Sequence, residues 1–207
     1  MTKNIYRYVV RHDGGSAPNP FGNWCSLAIC KAPIRRMAQE GDWIIGLRSR
    51  SVDHVIFAMR IEERLCFSKY WTDQRFVSKR PNNNPYSDNI YRPDANGSLV
   101  WENNDVHHKG HKDDDLGGKH VLVGSEFWYF GDQSPRIPDE LMHLIHQGRN
   151  YSVHKNRKDT DLDVLQKWLS KWKPGIHGKP IDRKNDLPAT HHQSIAIKTR
   201  SCVKQSC

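Results

Sequence analysis

Two almost wholly apolar runs, DWIIGL (Asp42 to Leu47) and HVIFAMRIEE (His54 to Glu63), are separated only by the basic connector RSRSVD (Arg48 to Asp53). Runs of this length and composition read as strands, and so short a connector makes them a hairpin. A strand with one wet face alternates apolar and polar residues. Arms that are apolar at nearly every position belong in the core of a barrel or a sandwich.

The rest of the chain reads around this hairpin. IYRYVVR (Ile5 to Arg11) alternates well enough for a half-buried strand. HDGGSAPNPFGN (His12 to Asn23) holds three Gly, two Pro and two Asn, the chemistry of a shaped loop. WCSLAIC (Trp24 to Cys30) predicts a second strand, with Cys25, Leu27 and Ile29 on one face and Trp24, Ser26, Ala28 and Cys30 on the other. Pro33 opens a short helix, PIRRMAQE (Pro33 to Glu40), with Ile34, Met37 and Ala38 inward and Gly41 just past its end.

FSKYWTD (Phe67 to Asp73) predicts a single-turn helix capped by Ser68, followed by a long polar loop from Asp73 to about Gly97. Strands near Leu99 to Glu102 and His120 to Val123 enclose NNDVHHKGHKDDDLGG, where Gly110 and the flanking Asn and Asp residues argue for a loop. SEFWYFG (Ser125 to Gly131) is strongly aromatic, and short helices follow over Asp139 to His146 and Asp161 to Trp172. The second puts Leu162, Leu165, Trp168, Leu169 and Trp172 on one stripe behind a partial capping box of Thr160 and Asp163. Strands supply the core and helices cover its ends, an α+β organisation.

With 207 residues and 36% apolar composition the chain is sized for one domain, expected over residues 1–172. No run of 18 apolar residues and no secretory leader is present, which predicts a soluble cytoplasmic protein with no membrane partner. The five cysteines (Cys25, Cys30, Cys66, Cys202, Cys207) include no CxxC pair and read as reduced thiols. The net charge of +9 points to a polyanion, and from Lys171 onward eight Lys/Arg face only Asp182 and Asp186. Residues 173–207 therefore read as a basic, flexible tail, either a solubilising extension or an arm that tracks phosphates.

The run APNPFGNWCSLAICKAPIRRMAQEGDW, then FAMRI, YWTDQRF, KRP, DNIY, a His pair after a Trp, and FWYFG, resembles the nucleotide modification associated domain 2 family of bacteria and phages over roughly residues 5–172. That resemblance implies a role around modified nucleotides, in nucleotide-modification or phage-defence systems, with no reaction attached. The order helix, Gly-Asp, apolar strand and returning strand is also similar to the small barrels of the PUA, EVE and YTH group, which bind RNA or modified bases. It implies a small mixed or antiparallel PUA-like β-barrel with short covering helices.

A base pocket needs flat apolar walls and a few fixed donors. Phe21, Trp24 and Trp43 are candidate walls, Asn19 and the Gly-rich backbone candidate edge readers, and Trp71 and Asn89 further candidates for binding the base or nucleotide. Lys31, Arg35 and Arg36 are candidate phosphate clamps, and His107 and His108 candidate hydrogen-bonding groups. Each has a plainer role: the tryptophans as core, the arginines as partners of Asp42 or Glu40, Asn19-Pro20 as a turn. Tyr70, Trp71, Arg75, Lys79, Arg80, Asp88, Asn89 and Tyr91 would form a polar rim over the same site.

His107, His108 and His111 with Asp113 to Asp115 include ligand types for a divalent metal, although solvated loop roles weigh more. Cys30 beside Lys31, and His12 with Asp13, offer a nucleophile and a base with its orienter. Recognition of a modified base or nucleotide in nucleic acid is the expected function, with no cofactor and no bound metal. An enzyme acting on a nucleotide base, metal-assisted through His107, His108 and His111 or using Cys30, is the alternative. A modification enzyme is a further partner to consider.

Overall fold

The computed structural model describes residues 3–148, 150–155 and 160–182. In chain order the strands are β1 (Asn4–Val10), β2 (Cys25–Leu27), β3 (Trp43–Arg48), β4 (Ser51–Arg60), β5 (Glu63–Cys66) and β6 (Tyr91–Pro93). They continue as β7 (Leu99–Trp101), β8 (His120–Gly124), β9 (Phe127–Tyr129), β10 (Tyr151–Lys155) and β11 (Gly175–Ile176). The α-helices are α1 (Ala32–Met37), α2 (Phe67–Thr72), α3 (Lys112–Leu116) and α4 (Thr160–Leu169). None of the described helices is long and apolar enough to cross a membrane.

Six strands form one mixed sheet in the order β10-β1-β3-β4-β9-β11, and β2-β8-β5 form a second, antiparallel sheet. The β3–β4 hairpin lies at the centre of the large sheet, as its two-sided apolar pattern requires. Gly46 is needed there: a Cβ would stand 2.3 Å from the ring of Phe57 across the hairpin. Register shifts on either side of Leu47 bend the hairpin toward its turn.

Three cores stack through the molecule. Tyr6, Tyr8, Ile44, Met59 and Tyr129 of the large sheet meet Cys25, Leu27 and Leu122 of the small one, with Ile34 of α1. The other face of the large sheet, with Ile5, Trp43, Ile45, Leu47 and Trp128, is covered by Leu141 and Leu144 and by Leu165, Trp168 and Leu169 of α4. The outer face of the small sheet carries Leu65, Val121 and Val123 under Phe67, Tyr70, Phe76, Ile90 and Tyr91.

This is the α+β class expected, but the closed PUA-like barrel does not form among the described residues. The long loop after β1 delivers β2 to β8 rather than to the large sheet; β10 and β11 remain edges, nine of the described strands split into two sheets, and β6 and β7 pair apart from both. Closure needs every strand paired on both sides.

Local expectations shift in instructive ways. Strand β2 stops at Leu27, so Ile29 joins Ala28 in the outer core instead of lining up with Cys25 and Leu27. Met37 is half-exposed while Ile34 and Ala38 are sealed. The residue at the N-cap of α2 is Cys66 rather than Ser68, and no side chain caps the helix. In the His-rich stretch His107 and His108 lie in irregular chain, as expected of a loop, but a 3₁₀ turn over Lys109–His111 follows and runs into α3. Its third aspartate, Asp115, can thereby turn inward.

The polar segment after Asp73 is partly interior: Lys79, Ser87, Asp88 and Asn89 are buried, while Gln74, Arg75, Asn82 and Asn83 stay exposed. Lys79 Nζ donates to the backbone and side-chain oxygens of Asn19, each at 2.9 Å. Asp88 accepts from Ser26 Oγ at 2.6 Å and Tyr70 OH at 2.8 Å. A buried ammonium and carboxylate survive only because such partners replace water.

Residues 173–182 also belong to the fold: β11 pairs with β9, Asp132 and Lys179 exchange backbone and side-chain bonds, and Asp13 N donates to Asp182 at 2.7 Å. The remaining 25 residues of the expected tail, 183–207, lie outside the described residues. Cys25, Cys30 and Cys66 are free thiols, and Cys202 and Cys207 lie outside the described residues.

Candidate functional site

Beyond β2 the chain turns sharply. Cys30 and Lys31 have φ of 56° and 44°, a left-handed conformation unusual for any residue with a side chain. The turn carries Cys30 out of the apolar strand and exposes it at the start of α1. Its Sγ stands 3.6 Å from His107 Nε2. The other ring nitrogen, Nδ1, is 2.7 Å from Asp115 Oδ2. A solvent-facing thiol, an imidazole and a buried carboxylate thus stand in line.

The supports of this line are themselves fixed. Asp115 Oδ1 accepts from Cys30 N at 2.8 Å, and Oδ2 accepts from Tyr91 OH at 2.7 Å. His107 N donates to Asn104 Oδ1 at 2.7 Å, and Trp101 Nε1 donates to the His107 carbonyl at 3.3 Å. Arg35, fully buried, donates through Nε to the Cys30 carbonyl at 2.7 Å, through one terminal nitrogen to His120 O at 3.1 Å and through the other to Asp115 O. Its guanidinium lies against Gly118, where an added Cβ would approach Cζ to 2.4 Å. Arg35 is therefore the internal bolt joining α1, β8 and α3.

Electrostatics follow from this packing. Burial alone would lower the His107 pKa, but the hydrogen bonds and charges of Asp115 and Cys30 outweigh it and raise the imidazole to about 10. Burial works to raise Asp115, yet bonds from His107 and Tyr91 leave its pKa below the ordinary carboxylate value. Burial pushes the Arg35 guanidinium down to about 10 against the opposing pull of Asp115. Lys31 is lowered by burial and by the like charge of Arg11, and its Nζ sits 4.5 Å over the Tyr8 ring. Lys31, next in the chain, therefore brings one cation into electrostatic reach of the thiol.

The residues singled out in the sequence separate into three groups. Trp43, 1% exposed, stacks on Trp128 inside the second core; Asn19, Asn89 and Arg35 are also sealed, as internal hydrogen-bonding groups. None of these four presents a wall, an edge reader or a clamp to solvent. Phe21 with Tyr86 (4.2 Å), Trp24 with Arg75 (4.8 Å) and Trp71 with Arg80 (4.5 Å) are half-buried and paired. Lys31 and His107 stand at Cys30, and exposed Arg36 donates to Gly117 O at 3.1 Å, rather than bridging to Asp42 or Glu40.

His107 faces Cys30 and Asp115 with its two nitrogens, while His111 lies ring to ring with it at 4.5 Å and His108 is exposed. The three histidines do not converge on one point. His12 is exposed, and Asp13 turns away from it to accept from Tyr129 OH at 2.6 Å. Burial raises the Asp13 pKa to about 6 against that bond. Sequence reading named Tyr91 as part of a polar rim and Asp115 as one of three acidic metal-ligand types, but gave neither its place behind His107. Only the helical turn after Gly110 distinguishes Asp115 from its exposed neighbours Asp113 and Asp114. A hollow of about 340 Å³ beside α3 is lined by Phe67, Leu99, Leu116, Lys119 and His120, among others, but by neither Cys30 nor His107.

Fold and site together define an α+β domain that displays a thiol, imidazole and carboxylate in sequence at the edge of its smaller sheet. The chain belongs to the nucleotide modification associated domain 2 family, whose profile matches residues 2–187. Membership gives it a role in nucleotide modification systems. No curated protein matches it. Among solved structures, a mutant of the ZmASCH protein from Zymomonas mobilis aligns with 82% of this chain and 96% of its own, at 11% identity and a TM-score of 0.33, too distant a likeness to carry an argument.

Proposed function

We propose that the protein serves nucleotide modification as a cysteine-nucleophile enzyme, with Cys30 attacking, His107 moving the proton and Asp115 holding the ring. The single supporting observation is the geometry: Sγ to Nε2 at 3.6 Å, then Nδ1 to a buried carboxylate at 2.7 Å. In such a step Sγ forms a bond to an electrophilic carbon. Through His107 Nε2 the thiol proton passes to the atom that receives the displaced electron pair, which balances charge and atoms. Lys31 suits a phosphate-bearing substrate beside the thiol.

Alkylation tests this reading. Cys30 should be modified faster than half-buried Cys66, and more readily by anionic iodoacetate than by neutral iodoacetamide. The rate should fall roughly tenfold or more in His107→Ala. Equal rates at the two cysteines, or a His107→Ala rate equal to wild type, would sink it. Nucleoside mono- and triphosphates and short oligonucleotides should then protect Cys30.

Recognition of a modified base is a second reading, favoured by Trp24, half-buried against the small sheet's outer core, and by the half-buried rings of Phe21 and Trp71. Stacking there would contribute about 1–3 kcal/mol per base. Its signature is oligonucleotide binding that persists in Cys30→Ser and weakens in Trp71→Ala, with a steep salt dependence.

A further inference from the structure

We propose that His143, His154 and Asp161 form a zinc site, a role outside the Cys30 chemistry and contrary to the sequence expectation of no metal. The three come from different elements. His154 lies on edge strand β10, in register with Ile5 of β1. Ile5 faces the second core, so His154 projects to the side where α4 packs. Asp161 is in the first turn of α4, and His143 lies in the 3₁₀ turn Asp139–Leu144.

Asp161 Oδ2 stands 2.6 Å from His154 Nε2 and 3.0 Å from His143 Nε2, and the three ligand atoms lie within 4.8 Å of one another. In a tetrahedral zinc site with bonds of about 2.05 Å, neighbouring ligand atoms are about 3.3 Å apart. To admit the ion the Asp161 oxygen must separate by about 0.7 Å more from His154 and about 0.3 Å more from His143. Two imidazoles and a carboxylate are a zinc donor set that leaves one position open to water or a substrate group.

The supporting elements are preorganised. Leu141 and Leu144 anchor the turn of His143, Leu165, Trp168 and Leu169 anchor α4, and five register pairs hold β10 to β1. The ion would not have to order a loop in order to bind. With side chains 48%, 28% and 21% exposed for His143, His154 and Asp161, it can enter from solvent. Bound there, zinc would clip the edge strand of the large sheet to its covering helix.

Metal-free full-length protein, loaded with zinc and passed through gel filtration, should retain a single equivalent by elemental analysis. Zinc should also raise the melting temperature. His143→Ala, His154→Ala and Asp161→Asn should each lose both effects. Cys30→Ser should retain them, which separates this site from the Cys30–His107 pair. His143 is the most exposed of the three, so its replacement perturbs folding least, and circular dichroism without zinc should match wild type. Wild type that retains no zinc, or His143→Ala and His154→Ala variants that retain it, would overturn the proposal.

Discussion

Replacing His107 with Gln should change the pH dependence of stability in a calculable way. The folded pKa of about 10 exceeds the ordinary 6.5 that the unfolded chain shows, so the folded state binds the proton more tightly. A raised pKa adds stability that is complete below about pH 6.5 and disappears as the pH rises through 10. The ceiling, from 1.36 kcal/mol per unit, is roughly 5 kcal/mol. The ring edge reaches solvent, with 15% of the side chain exposed, and screening reduces the expected effect to roughly 2–3 kcal/mol. Urea unfolding at several pH values between 6 and 10 should show wild type losing that advantage over His107→Gln as pH rises. Nitrogen-detected NMR of the ring should find it protonated at pH 8. Parallel stability curves for the two proteins, or a ring already neutral at pH 8, would refute the reasoning and remove the charged partner from Cys30.

Arg35→Met should destabilise the fold by about 3–5 kcal/mol, because it leaves the carbonyls of Cys30, His120 and Asp115 without their buried donor, whereas Arg36→Ala should stay within about 0.5 kcal/mol; thermal melts of the pair decide. Trp43→Ala should cost about 3–5 kcal/mol by opening a cavity against Trp128, and Cys30 alkylation below the melting temperature should be unaltered. Asp13, raised to about 6 by burial, favours the folded state most below about pH 3.8, and that contribution is lost as pH rises through 6. Asp13→Asn should flatten this window in denaturant titrations, and an unchanged slope would show that Asp13 titrates normally.

Much of the scaffold was legible because it follows from local pattern. The two-sided apolar hairpin, the stripe on α4 and the strands near Leu99 and His120 are dictated by period and by composition, which neighbouring residues carry. The family resemblance was likewise legible in ordered short motifs. The split into two sheets was not, since pairing β2 with β8 joins residues about 97 positions apart, Leu27 with Leu122 among them, and no local signal encodes it.

The site divides in the same way. The order of residues along the chain set which chemistries were available: a cysteine before a basic pair, a histidine cluster, an acidic run, and rings enough for a core. Packing in three dimensions chose their use. It sealed Trp43 and Arg35, turned Asp115 inward on a short helix, and brought His107 to Cys30 from 77 residues away. Burial is the cause. Whether an arginine clamps a phosphate or bolts a core, and whether an aspartate is solvated or orients an imidazole, depends on which packed surfaces exclude water around it, and that is fixed only when distant strands meet.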